Sequence, residues 1–314
     1  RNLVDMSLHF SEGRFQSHFF QTARTMLEHE DSAYYSLVEH STSHIETEHL
    51  VKFGMNLGYN SCTWGAQRIR RNEQRLGFNI PWTVLFQMDD LQCLYHLFEY
   101  DSAITEGEQL GIYTWGLLSR TDPMALLPLI EHHPDSAFFL FCRPEDVTSA
   151  LLDEIIPIKH LMLVVRWEDG TDEVCAMLRD AHLPYSVYVP YDQNDLQSIT
   201  SGELFADTQQ LYPLFTILTA KPDCPTKVQD LVYQAVVKAR NGQSYQTIPW
   251  ELYHDIRSLD EIISDDACCV LFDGHGQLIA LDHPDCMPFG SLFEDGITPL
   301  IRQAYPKSVP IVSR

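Results

Sequence analysis

Between Gly111 and Ala220 the chain repeats one theme: a short run of apolar, β-branched and aromatic residues, then a stretch with helical periodicity. The runs GIYTWGLL (111–118), AFFLFC (137–142), HLMLVVRW (160–167), YSVYVPY (185–191) and LFTILTA (214–220) are apolar on both faces. Segments such as EDVTSALLDEII and DEVCAMLRDAH lie between them. A strand without a polar face must be covered on both sides, and strands joined through helices run parallel. One more unit precedes the series, WTVLFQM (82–88) followed by LQCLYHLFEY. The expected class is therefore α/β with six sequential β/α units, either a doubly wound sheet or a partial parallel barrel. Neither a glycine-rich dinucleotide fingerprint nor a phosphate-binding loop follows any strand, so the usual nucleotide-binding sheets lose ground.

Charge narrows the partners. The formal net charge is −23, from 44 acidic and 21 basic residues, which argues against binding a phosphate backbone or an anionic lipid surface and favours a basic peptide. No apolar run reaches the ~20 residues that span a bilayer, and the N-terminus lacks a signal-peptide core. A cytoplasmic protein is expected, with no nucleic acid and no membrane among its partners. Eight cysteines in 314 residues are too few for a disulfide scaffold, and Cys142 and Cys175 sit inside apolar patterns.

Residues 1–79 stand apart as a helical N-terminal unit. A short strand is expected at 3–10 and a helix at RFQSHFFQTARTMLEHE (14–30). A second helix should end at Gly58, and Thr63 should cap a third that stops at Gly77. The third helix carries Arg68, Arg70, Arg71 and Arg75, a docking face for an acidic partner or an ordinary solvated face. Glu46 and His49 have the i, i+3 spacing of di-iron bundles, but such a site needs a second motif in a comparable helix, and a polar, exposed helix is the plainer reading. His132 and His133 mark a helix end. Residues 80–221 are the barrel unit, and 222–314 a C-terminal region with a long helix (226–242), a helix in WELYHDIRSLDEIISDD, and a hairpin in CCVLFDGHGQLIALD (268–282) that turns at Asp273–Gly276.

The order of pieces in 267–305 is cysteine, strand, Asp-Gly turn, strand, cysteine, then F-G-S-L-F-E-D-G-I and an apolar helix. It resembles the SPASM or twitch tail of radical S-adenosylmethionine (SAM) enzymes, with Cys269, Asp273–Gly276, Cys286, Gly290–Leu292 and Glu294–Asp295 in the corresponding places. The resemblance implies that the six units are that superfamily's partial barrel. It also implies a departure. The family's C-x-x-x-C-x-x-C loop, which holds a [4Fe–4S] cluster, is replaced here by M-D-D-L-Q-C-L-Y-H-L with Cys93 alone, and the G-G-E-P loop by S-R-T-D-P (119–123).

The resemblance thus implies a degenerate, non-catalytic relative from a bacterial peptide-maturation system. Such a protein would bind a precursor peptide or a radical SAM maturase partner, with the [4Fe–4S] cluster and S-adenosylmethionine lost and no cofactor expected. Parallel strands would gather the loop acids Asp89, Asp90, Asp122, Glu168, Asp169 and Asp192 on one rim, along with Glu145 and Asp195. That rim would attract a basic segment. Two alternatives remain open: an enzyme of another class using Asp89 with Asp122 as acid, base or Mg²⁺ ligands, and a residual metal site built from Cys268, Cys269, Cys286 and a histidine such as His275 or His283.

Overall fold

The computed structural model describes residues 21, 24–25, 28–88, 91–120, 122–264, 266–281 and 289–307, with backbone alone at 91–93. The expected strand at 3–10, most of the expected helix at 14–30, and Asp89, Asp90, His283 and Cys286 lie outside these residues, as does the Cys93 side chain.

The six expected strands form where the apolar runs placed them: β1 (Thr83–Met88), β2 (Thr114–Ser119), β3 (Ala137–Cys142), β4 (Leu161–Arg166), β5 (Tyr185–Tyr191) and β6 (Phe215–Ala220). Each pairs in parallel with the next. Three more strands join them: β7 (Ile248–Glu251), β8 (Val270–Phe272) and β9 (Leu278–Ala280). The sheet order is β7-β6-β5-β4-β3-β2-β1-β8-β9, parallel except for the β8–β9 hairpin. β7 falls where a helix start was expected. Ile248, Pro249 and Trp250 read too short and too proline-marked for a strand, but β7 is an edge, where a missing N–H costs no ladder bond. The hairpin turns as expected, with Asp273 Oδ1 accepting from His275 N at 2.9 Å and Gln277 N at 2.8 Å. It docks in parallel on β1, so strands from both sides of residue 222 share one sheet.

Helices flank the sheet. Relevant below are α1 (Leu97–Leu110), α2 (Leu127–His132), α3 (Thr226–Gly242) and α4 (Leu252–Ile263). Phe86 anchors this layer, stacked on Trp115 at 5.6 Å and edge-on to Tyr100 at 5.1 Å, all fully buried. Pairs of this kind add about 0.5–1.5 kcal/mol beyond area burial. α4 crosses from the end of β7 to the start of β1, where Trp82 donates its backbone N–H to Asp260 (2.9 Å) and its indole N–H to the Ile256 carbonyl (3.0 Å).

The N-terminal unit differs from expectation. No break occurs at Gly58. The helix Thr47–Gly54 passes into an eleven-residue π-helical segment, Met55–Gly65, and on into Ala66–Leu76, which stops at Gly77 as expected. Thr63 caps nothing; its hydroxyl donates to the Gly58 carbonyl five residues back at 3.1 Å. Long π segments are rare, and this one is held from outside. Asn56 donates to Pro134 O (2.9 Å) and Ser136 O (2.6 Å), Asn60 donates to Asp135 O (2.9 Å), and Ser61 accepts from Thr114 Oγ1 (2.8 Å). Among the described residues no helix is long and apolar enough to cross a membrane.

Candidate functional site

Residues paired across a parallel ladder project to the same side. The registers Leu85–Gly116–Phe139 and Tyr188–Ile217–Trp250 therefore mark one face of the sheet. Leu85, Gly116, Phe139, Ile217 and Trp250 all line a single cavity of about 880 Å³. Strands as far apart as β1 and β7 share it, so the sheet curls into a half-barrel with this face inside. The π segment (Gly58, Cys62), α3 (Tyr233, Arg240) and α4 (Asp255, Leu259) supply the remaining wall. The cavity has the size and the mainly apolar wall of small-ligand sites.

Few polar groups face it. Arg240 makes a two-pronged pair with Asp255 (Nη2–Oδ1 2.8 Å, Nη1–Oδ2 3.0 Å) and donates to the Pro249 carbonyl at 3.2 Å. Burial works against the Arg240 charge, and Asp255 more than offsets it, raising the guanidinium above its ordinary range. Burial pushes the Cys62 thiol up to about 12, so it stays protonated at neutral pH and is a poor nucleophile or metal ligand.

Beside the cavity lies a buried chain of hydrogen bonds. Tyr191 donates to Glu251 Oε1 (3.0 Å), and Glu251 Oε2 contacts His254 Nδ1 (2.8 Å), whose ring stacks on Tyr233 at 4.8 Å. Glu251 raises the His254 pKa above 6.5. The histidine therefore contributes stability that is fully present below about pH 6.5 and is lost as pH rises through the raised native value. The expected result is that His254→Gln costs more stability at pH 6 than at pH 8 in urea unfolding. Equal losses at both would show that the imidazolium is not favoured by folding.

The expected rim residues sit at the other end of the strands. Asp122 caps the turn Pro123–Leu126, accepting from Met124 N at 3.0 Å. Asp192 pairs with Lys221 (2.7 Å), which holds its carboxyl below the usual range, and caps Gln193–Asp195. Glu168 lies between Arg143 (3.4 Å) and Arg166 (3.2 Å), while Asp169 is exposed. Alternation from the inward residue Val164 places Arg166 on the inner face at the end of β4, while Arg120 and Arg143 lie just past the ends of β2 and β3. This inner mouth of the half-barrel therefore carries charges of both signs, paired with one another. The sequence did not suggest this, because three arginines about 23 residues apart share nothing until the strands align.

Other candidates are placed as follows. Cys268 and Cys269 belong to the core, and His275 is exposed at the hairpin turn. His49 is buried and Glu46 pairs with Lys159 at 2.5 Å, so the pair holds the N-terminal unit to the barrel and is not the exposed polar face expected. Arg70 donates to the Ile263 carbonyl (2.9 Å) and Arg75 to Asn72 (3.0 Å).

No protein-family profile and no curated protein sequence matches the chain. Solved structures do. SuiB of Streptococcus suis bound to S-adenosylmethionine is similar with TM-score 0.54 and 8% identity, covering 76% of this chain and 67% of its own. A second SuiB structure gives 0.51 at 8%, covering 71% and 67%, and anSMEcpe with bound AdoMet gives 0.44 at 8%, covering 70% and 77%. The fold is radical-SAM-like.

This likeness corrects the expectation that cofactors are lost. A structure of the same fold was solved with S-adenosylmethionine bound, and six cysteines remain among the described residues. The missing thiolate motif bears on the cluster and does not by itself exclude S-adenosylmethionine. Of the charged side chains at the inner mouth, Arg166 and Glu168 are of the kinds that hold a carboxylate and an ammonium, and here they pair with each other at 3.2 Å. The six thiols occupy separate places, on the π segment, β3, the helix Thr171–Asp180, the turn after β6 and the approach to β8, and no three of them share a site.

Proposed function

We propose that this chain is a peptide-binding protein of the radical-SAM-like fold that works in peptide maturation beside a catalytic partner. In this reading the cavity takes an apolar side chain of the peptide, and S-adenosylmethionine is a ligand of the inner mouth. The observation that carries it is the 880 Å³ apolar cavity inside the half-barrel. The strand-end acids Asp122, Asp169 and Asp192, with Asp89 and Asp90 next to β1 in the sequence, would draw a basic flanking segment by charge. SuiB's bound S-adenosylmethionine supports the second ligand. The changed loops M-D-D-L-Q-C-L-Y-H-L and S-R-T-D-P support a degenerate role, and the F-G-S-L-F-E-D-G-I tail a SPASM origin.

Trp82 and Trp250 line the cavity and report on it. Titrating the full chain with peptides that carry one aromatic anchor between lysines should give a saturable change in tryptophan emission. Ile217→Trp fills the cavity and should weaken that binding by at least about 10-fold, while calorimetric binding of S-adenosylmethionine is unchanged. Absence of saturable peptide binding ends the peptide reading. Absence of S-adenosylmethionine binding ends the cofactor part alone.

A further inference from the structure

Outside the cavity lining, α1 and the end of α2 bring together two histidines and two carboxylates. Asp101 and Glu108 are two turns apart on α1, hence on one face. His132 is the last residue of α2 and His133 follows it. Asp101 Oδ1 meets both rings, His132 through Nδ1 and His133 through Nε2 at 3.2 Å. Among the described residues no other group of three His, Cys, Asp or Glu side chains brings its ligand atoms within 4.8 Å.

Three features make this more than a salt link. His133 is buried at 4% exposure, and its other nitrogen faces Glu108 Oε1 at 3.4 Å. Glu108 in turn accepts from Ser136 Oγ (2.7 Å), which accepts from Trp115 Nε1 (3.2 Å). A carboxylate behind a histidine, itself fixed by a further donor, is the support that metal-binding imidazoles use to set ring orientation. Tetrahedral zinc with bonds of about 2.0–2.1 Å needs ligand atoms about 3.3 Å apart, and the His133–Asp101 separation already meets this. His132 is 67% exposed, so an ion can enter and keep a water as its fourth ligand.

We propose that Asp101, His132 and His133 bind a zinc ion with Glu108 as the orienting carboxylate. The ion's effect follows from what the next residues hold. Pro134, Asp135 and Ser136 are the carbonyls that grip Asn56 and Asn60 of the π segment. Zinc fixes the start of that loop to α1 and so steadies the cavity wall.

The test is zinc titration of the full, chelator-stripped chain by calorimetry, with thermal unfolding alongside. One zinc per chain and a raised midpoint are expected. His132→Ala, at an exposed position that should not impair folding, weakens binding by at least about 10-fold and abolishes the thermal shift. Asp101→Asn gives a smaller loss in the same direction. The cobalt-substituted protein should lack thiolate charge-transfer absorption. Unchanged zinc affinity in His132→Ala, a thiolate band in the cobalt spectrum, or no binding by the wild-type chain would each overturn the assignment.

Discussion

Asp255→Ala is expected to cost about 3–5 kcal/mol of folding stability, because it strips a largely buried cation of the carboxylate it pairs with. The Asp255 side chain is 5% exposed and Arg240 22%. Alanine would leave a guanidinium against an apolar wall and orphan the Glu251 amide that donates to Asp255 Oδ2 at 2.9 Å. The asymmetry of buried ion pairs supplies the control. Replacing both partners together, Arg240→Met with Asp255→Leu, removes the charge along with its partner and should recover much of the loss. Urea unfolding of both variants checks this. A loss below about 1 kcal/mol for Asp255→Ala would place the pair in the range of solvent-screened surface bridges. The pair lies on the cavity wall, so freeing Arg240 should also improve binding of any peptide that brings a carboxylate there.

The barrel was legible because its evidence is local. A run such as AFFLFC has no polar face, so it declares a doubly covered strand without reference to the rest of the chain. β7 was not, since four residues containing Pro249 become a strand only when an edge is available. The hairpin was readable from Asp273 and Gly276, but its docking on β1 depends on where the barrel happens to end. The candidate site was the least legible part. Arg240 and Asp255 are fifteen residues apart on different helices. Asp101 and His132 meet only because α2 packs on α1. Rim acids could be collected by counting from strand ends, whereas their pairing with Arg143, Arg166 and Lys221 needed neighbouring strands in register.

The π segment owed nothing to motif, and one contact explains why the chain tolerates it. Gly65→Ala is expected to destabilise the protein by about 3 kcal/mol, the upper end for overpacking. A Cβ there would stand 2.5 Å from the Gly111 carbonyl oxygen and 2.6 Å from that of Asn60. Both are backbone atoms and cannot rotate away. Gly111 faces the same contact from the other side: its φ is +115°, and its own Cβ would lie 2.7 Å from the Gly65 carbonyl and 2.9 Å from Ile69 N. Two backbones thus touch directly, and this brings the segment close enough for Ser61 to reach Thr114 and for Cys62 to line the cavity. An added methyl forces the segment outward, so the loss should appear with faster amide exchange across 55–65 and weaker peptide binding, not as lost stability alone. Gly65→Ala combined with Gly111→Ala should cost less than the sum of the two, since the first substitution already opens the contact that the second would crowd. Additive losses, or a cost below about 0.5 kcal/mol for Gly65→Ala, would mean that the wall is held by Asn56 and Asn60 alone. In that case the wall could give way to a ligand, and the cavity's shape would be set by what it binds.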